Sequence, residues 1–94
     1  MNMARVRECG AIGCSYNTDN KCHAFAITIG DTVHPTCDTL CQSILKGGDS
    51  EVTAHVGACK VASCVHNSSL ECECSEIEVG YQGSEVDCLS FEPE

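Results

Sequence analysis

The chain of 94 residues carries a net charge of −9, ten cysteines, five Lys and Arg, two Tyr, two Phe and no Trp. So short a core with so few large side chains is marginal unless something staples it, and cysteine is the available staple. The acidic balance excludes a nucleic-acid partner, which needs a basic stripe to displace counterions; no stretch nears about 18 apolar residues, so no membrane span is expected.

Met1 to Glu8 reads as a frayed lead-in with a short edge strand near Val6. Arg5 and Arg7 are not followed by the apolar run of a secretory leader. A cytoplasmic protein is therefore expected, whose thiols stay reduced and turn to metal rather than to disulfides. Cys9-x4-Cys14 follows, with Gly10 and Gly13 free to curl the backbone so that both sulfurs point at one centre. Asn17-Thr-Asp-Asn20 is a turn cluster, since these side chains bond to their own backbone and tolerate left-handed conformations. Residues 22–29 alternate as a strand, with Phe25, Ile27 and Ile29 on one face.

His34-Pro35-Thr36-Cys37 leads into a predicted short helix. Thr36 or Asp38 would cap it, Leu40, Cys41, Ile44 and Leu45 would form its apolar stripe, and Gly47-Gly48 would stop it. Such a helix sets Cys37 and Cys41 one turn apart. The polar run Gly47-Gly-Asp-Ser-Glu51 reads as a linker, dividing the chain into a first unit at 1–46, the linker at 47–51 and a second unit at 52–94. In the second unit Asn67-Ser-Ser is the turn, and Cys74 to Val79 is the strand, with Ile77 and Val79 inside and Glu76 and Glu78 outside. Gly80-Tyr-Gln-Gly83 reads as a loop before Cys88. Phe25, Ile27, Ile77 and Val79 are candidates for packing the two units together.

The two units are copies of one plan. Cys9-x4-Cys14-x7-Cys22-x14-Cys37 returns as Cys59-x4-Cys64-x7-Cys72-x15-Cys88, with the one-residue difference absorbed in the longest gap. Four cysteines held in register predict one tetrahedral four-thiolate site per copy, the set a structural zinc ion fills completely. The metal would stand in for the core that each copy lacks, so binding and folding would be one event. The expected fold is a small metal-stapled one, mostly β-hairpin and irregular, with one short helix and two tandem cysteine repeats. Disulfides between the same cysteines are the alternative.

These residues resemble the domain-of-unknown-function 1540 family of small bacterial four-cysteine domains. The likeness lies in Cys9-x4-Cys14-x2-Asn17, Cys22-x-Ala24-x2-Ile27-x-Ile29 and Cys37-x-Thr39-Leu40, and again in Cys59-x4-Cys64-x2-Asn67, Cys72 and Cys88-x-Ser90-Phe91. It covers most of the chain as two tandem copies and implies metal binding, with zinc as the metal. Cys74 departs from the pattern, standing where the first copy has Ala24, and Leu40 stands where Phe is expected.

Cys41 and Cys74 fall outside the shared eight. Each reads either as a small buried hydrophobe or as an additional ligand; Cys72-x-Cys74 suits soft ions such as Cu(I). A pairing of Cys41 with Cys74 across the copies is a further possibility. His34 is a possible additional ligand, while His23, His55 and His66 have no histidine counterparts in the other copy and read as surface or supporting residues. Asn17 and Asn67 recur, either as turn formers or as amides donating to thiolates. There is no phosphate loop and no nucleophile with a base at hand. The reading is a non-enzymatic zinc module of two sites that presents a surface to a protein partner. The alternatives are a thiolate-rich store for Cu(I) or zinc, and a disulfide-held or redox-responsive protein.

Overall fold

A computed structural model describes residues 3–30 and 34–93. Nine short strands account for its regular structure: β1 (Arg5–Cys9), β2 (Asn17–Thr18), β3 (Lys21–Cys22), β4 (Ala26–Ile29), β5 (His55–Cys59), β6 (Asn67–Ser68), β7 (Glu71–Cys72), β8 (Glu76–Gln82) and β9 (Glu85–Cys88). Among the described residues there is no helix.

The main sheet has the order β4-β5-β1-β8-β9, so it interleaves the two copies. Strand β1 runs through its middle and is not an edge strand. It meets β5, its counterpart, antiparallel at Arg5↔His55. It also lies parallel to β8, while β5 lies parallel to β4. Each copy thus lends its second long strand to the first strand of the other. Two isolated bridges continue the ladder: Ile29↔Cys37 joins the segment at 36–37 to β4, and Thr36↔Asp87 joins it to β9. Cys37 N–H donates to the Val86 carbonyl at 2.8 Å and Cys88 N–H to the Pro35 carbonyl at 2.6 Å. The sheet therefore returns on itself as a small ring, which leaves few strand edges unpaired.

The predicted helix is absent because its residues are used otherwise. Cys37 and Thr36 are committed to the ring, and beyond them Gln42 bridges Cys14. Ser15 N–H donates to the Cys41 carbonyl at 2.7 Å and Gly47 N–H to the Ser15 carbonyl at 2.9 Å. The intended apolar stripe buries nothing, since Ile44 is 98% and Leu45 74% exposed. Gly48 has φ 79°, and a side chain there would run into the His23 carbonyl. The 41–50 run is thus an extended strap laid over the first copy.

Both predicted turn clusters contain a turn, the second one residue later than read, since Asn67 and Ser68 form β6 and the loop is Ser69-Leu70. Asp19 and Asn20 have φ 55° and 62°, and Ser69 and Leu70 have φ 54° and 64°. Each pair makes a two-residue hairpin loop with both residues left-handed, the geometry that matches strand twist. Leucine at the second position is strained, because Cβ crowds the following carbonyl. Replacing Leu70, which is half-exposed, with asparagine, the residue at the equivalent Asn20, should raise stability by about 1 kcal/mol; urea denaturation checks this. By contrast, the Cys-x4-Cys turns do not depend on Gly10 and Gly13. Neither glycine has positive φ, and the second copy makes the same turn with Lys60 and Ser63. Equivalent hydrogen bonds run from Cys14 N–H to the Ala11 carbonyl and from Cys64 N–H to the Val61 carbonyl, at 3.0 and 3.1 Å.

The core is one body shared by both copies, built of Val6, Ile27, Ile29, Val56, Val61, Ile77 and Val79 with small alanines and six buried cysteines. Phe25 does not join it: the chain bends at Ala24 and Phe25 before β4 starts, and Phe25 is left 70% exposed while Ala24 is buried. Ile77 and Val79 point inward as expected, and β8 runs on through Gly80 to Gln82, where a loop is predicted from the sequence. Outside, Glu76 and Glu78 face the cations of β1; Arg5 reaches Glu76 at 2.8 Å and Arg7 pairs with Glu78.

Candidate metal centres

Each copy gathers its four shared cysteines around one small cavity. Cys9 comes from the end of β1, Cys14 from the turn that follows, Cys22 from the end of β3, and Cys37 from the closing segment of the ring. They line a cavity of ≈ 10 Å³ together with Tyr16 and Leu40. Cys59, Cys64, Cys72 and Cys88 line the corresponding cavity of ≈ 20 Å³ with Phe91. Both volumes are about what one water or one ion occupies. The sulfurs border these spaces without closing a coordination shell: among the described residues no group of three or more His, Cys, Asp or Glu side chains is arranged to hold a metal ion. All ten cysteines are free thiols.

The hairpins explain how Cys22 and Cys72 return to the first cysteine of their copy. Asn17 pairs with Cys22 and Asn67 with Cys72 across the hairpins. The amide of Asn17 donates to the Cys9 carbonyl and that of Asn67 to the Cys59 carbonyl, each at 2.8 Å. Cys9 N–H in turn donates to the Asn20 carbonyl and Cys59 N–H to the Leu70 carbonyl, both at 2.9 Å. The recurring asparagines therefore tie hairpin to strand through backbone groups. Thr39 and Ser90 have a role not read from the sequence: their hydroxyls accept the N–H of Thr28 at 3.1 Å and of Glu78 at 3.2 Å, fixing the segment that follows the fourth cysteine to β4 in the first copy and to β8 in the second.

Sulfur is met by backbone N–H groups. Ala24, Thr39 and Ser90 N–H bond to the sulfurs of Cys22, Cys37 and Cys88, and Cys41 N–H bonds to the Cys14 sulfur at 3.4 Å. These donors favour thiolate, but burial outweighs them. Desolvation first, and repulsion from the neighbouring sulfurs after it, push the thiols of Cys37 and Cys88 up to about 11, and Cys22 moves in the same direction. A dication between the sulfurs would cancel both penalties, since it supplies the charge that burial and mutual repulsion withhold. The donor set of each copy thus fits one thiophilic ion.

The remaining candidates separate clearly. Cys74 lines the second cavity alongside the other four, and its thiol is pushed up to about 12 by burial, then by the charge of Cys72 and a hydrogen bond with it. Cys41 is exposed and lines neither cavity. His34 is exposed and lines neither. His66 does border the second cavity, but its Nε2 lies 3.0 Å from the Glu92 carboxylate.

The family described as Domain of Unknown Function (DUF1540) matches residues 8–43 and again residues 58–91. The chain belongs to that family, as a tandem pair of DUF1540 repeats. No curated protein and no solved structure matches it. The two matched spans each contain one complete four-cysteine set, so in this DUF1540 pair the ligand candidates of a cavity come from a single repeat, although the strands that support the cavity come from both.

Proposed function

We propose that the DUF1540 pair is a non-enzymatic metal-binding module in which Cys9, Cys14, Cys22 and Cys37 hold one zinc ion and Cys59, Cys64, Cys72 and Cys88 another. The observation that carries this reading is that the four register-matched cysteines of each repeat border one ion-sized cavity. Tetrahedral zinc is satisfied by four thiolates, which leaves no open position for substrate water. The purpose is to present a rigid acidic surface to a protein partner in the reducing cytoplasm; with a net charge of −9 that partner is not nucleic acid. No helix among the described residues is long and apolar enough to cross a membrane.

Native mass spectrometry of the chain purified under reducing conditions should find two zinc ions per chain. A folded chain without metal, or one lighter by two hydrogens for each disulfide formed, would overturn the reading. Storage of Cu(I) or zinc is the second reading, and it is favoured by the presence of a fifth thiol, Cys74, at one of the cavities.

A further inference from the structure

The two cavities differ in one donor. Five thiols border the second, Cys59, Cys64, Cys72, Cys74 and Cys88, where four border the first. At the position of Cys74 the first repeat has Ala24, which is buried and is not part of the cavity wall. Cys72 and Cys74 stand two positions apart on the wall of the same cavity, and both side chains are only partly buried, whereas Cys59, Cys64 and Cys88 are buried. Zinc takes four sulfurs, so one of the five is in surplus, and it stands beside the most accessible of the other four.

We infer that the second site is an exchange site, in which Cys72 and Cys74 are interchangeable ligands, while the first site retains its metal. This rests on the zinc reading above. In the exchange step a Zn–S bond to Cys74 forms as the Zn–S bond to Cys72 breaks; the proton lost by the Cys74 thiol is taken up by the released Cys72 thiolate. No electron moves and the count of bound thiolates stays at four. Because the fifth sulfur replaces the leaving one, the metal is never held by fewer than four, and an incoming ion or a thiol-bearing acceptor can use the same route at the solvent-facing side. The first repeat has no such donor. Its extra cysteine, Cys41, is exposed and touches the site only through its N–H to the Cys14 sulfur. His66 also borders this cavity, with its Nε2 3.0 Å from the Glu92 carboxylate, and it is left unchanged in every variant below.

The test uses the full zinc-loaded chain and native mass spectrometry. Offered excess Cd(II), a softer dication of equal charge, the wild-type chain should accumulate a species with one zinc and one cadmium. The first replacement should be faster than the second by about ten- to a hundredfold, the range over which a neighbouring donor ordinarily alters a metal site. Cys74→Ala, which installs the residue of the first repeat, should keep two zinc ions and bring the two rates together, and Cys41→Ala should leave the difference intact. In Cys72→Ala, Cys74 should take the vacated place so that two zinc ions remain, whereas Cys22→Ala and the double variant C72A/C74A should each lose the ion of their own site. Equal exchange rates in a two-zinc wild type, or loss of zinc from Cys72→Ala with Cys74 intact, would overturn the inference alone. A wild-type chain that binds no zinc would overturn the underlying reading and this one with it.

Discussion

Removing both ions from the reduced chain with a strong chelator is expected to unfold the two repeats together. The core contains no large aromatic side chain, and its biggest fully buried members are Ile29, Ile77, Val6 and Val61. A domain of this size has a net stability of about 5–15 kcal/mol, while a structural zinc site of small metal-dependent folds contributes about 10–16 kcal/mol near neutral pH. Loss of two such sites exceeds what burial can offset. Unfolding in halves is disfavoured because β4 of the first repeat is held by β5 of the second, and β8 of the second by β1 of the first. Hydrogen exchange across a chelator titration should show the amides of β4 and β8 losing protection at the same chelator concentration. One repeat remaining protected while the other exchanges would refute the coupling.

The second large effect is expected from the isoleucines of the shared core. Ile29 and Ile77 are each 2% exposed and both line the second cavity, one from β4 and one from β8. Ile29→Ala and Ile77→Ala should each destabilise the zinc-loaded chain by about 2–5 kcal/mol, combining lost burial with an unfilled cavity. Phe25→Ala and Ile44→Ala should change stability by no more than about 0.5 kcal/mol, because both side chains are already in water. Urea denaturation at fixed free zinc checks all four, and fixing the zinc matters because bound metal adds to apparent stability. A costly Phe25→Ala alongside a neutral Ile29→Ala would mean the core has been misplaced.

These contrasts mark what the chain discloses by itself. The repeat, the two cysteine sets and the left-handed turn at Asp19-Asn20 are local features, each decided by residue type and spacing within a few positions, whereas the left-handed Leu70 follows from the hairpin its copy shares and not from its own residue type. Pairing between the repeats is not local: nothing in Arg5-Val-Arg-Glu-Cys9 says that its parallel neighbour is the strand beginning at Glu76, since alternation marks an inward face and not whose strand lies alongside. The same limit explains the missing helix. Leu40, Cys41, Ile44 and Leu45 have helical spacing, but Thr36 and Cys37 gain more from closing the ring, and with them so placed the stripe has no surface to cover. Phe25 fails as a core residue for a nearby reason, because the bend at Ala24 and Phe25 interrupts the alternation just before β4. Cys74 was visible as an extra sulfur, but only the cavity distinguishes it from Cys41.

The exchange of strands carries one more consequence. Where β1 crosses β5, Arg5 faces His55, and where the ring closes, Thr36 faces Asp87; in both places a residue meets its own counterpart from the other repeat. That is the contact pattern of an isologous interface, in which positions on the symmetry axis must be complementary to themselves. An arginine opposite an arginine, or two buried aspartates face to face, would be repulsive there. Because the two halves lie on one chain, the axial positions are released from that requirement. Arg5 is free to meet an imidazole, and the buried Asp87 meets a threonine rather than a second carboxylate. The same release lets one half carry a sulfur at Cys74 and the other an alanine at Ala24, so the two sites can take on different tasks while sharing a single scaffold.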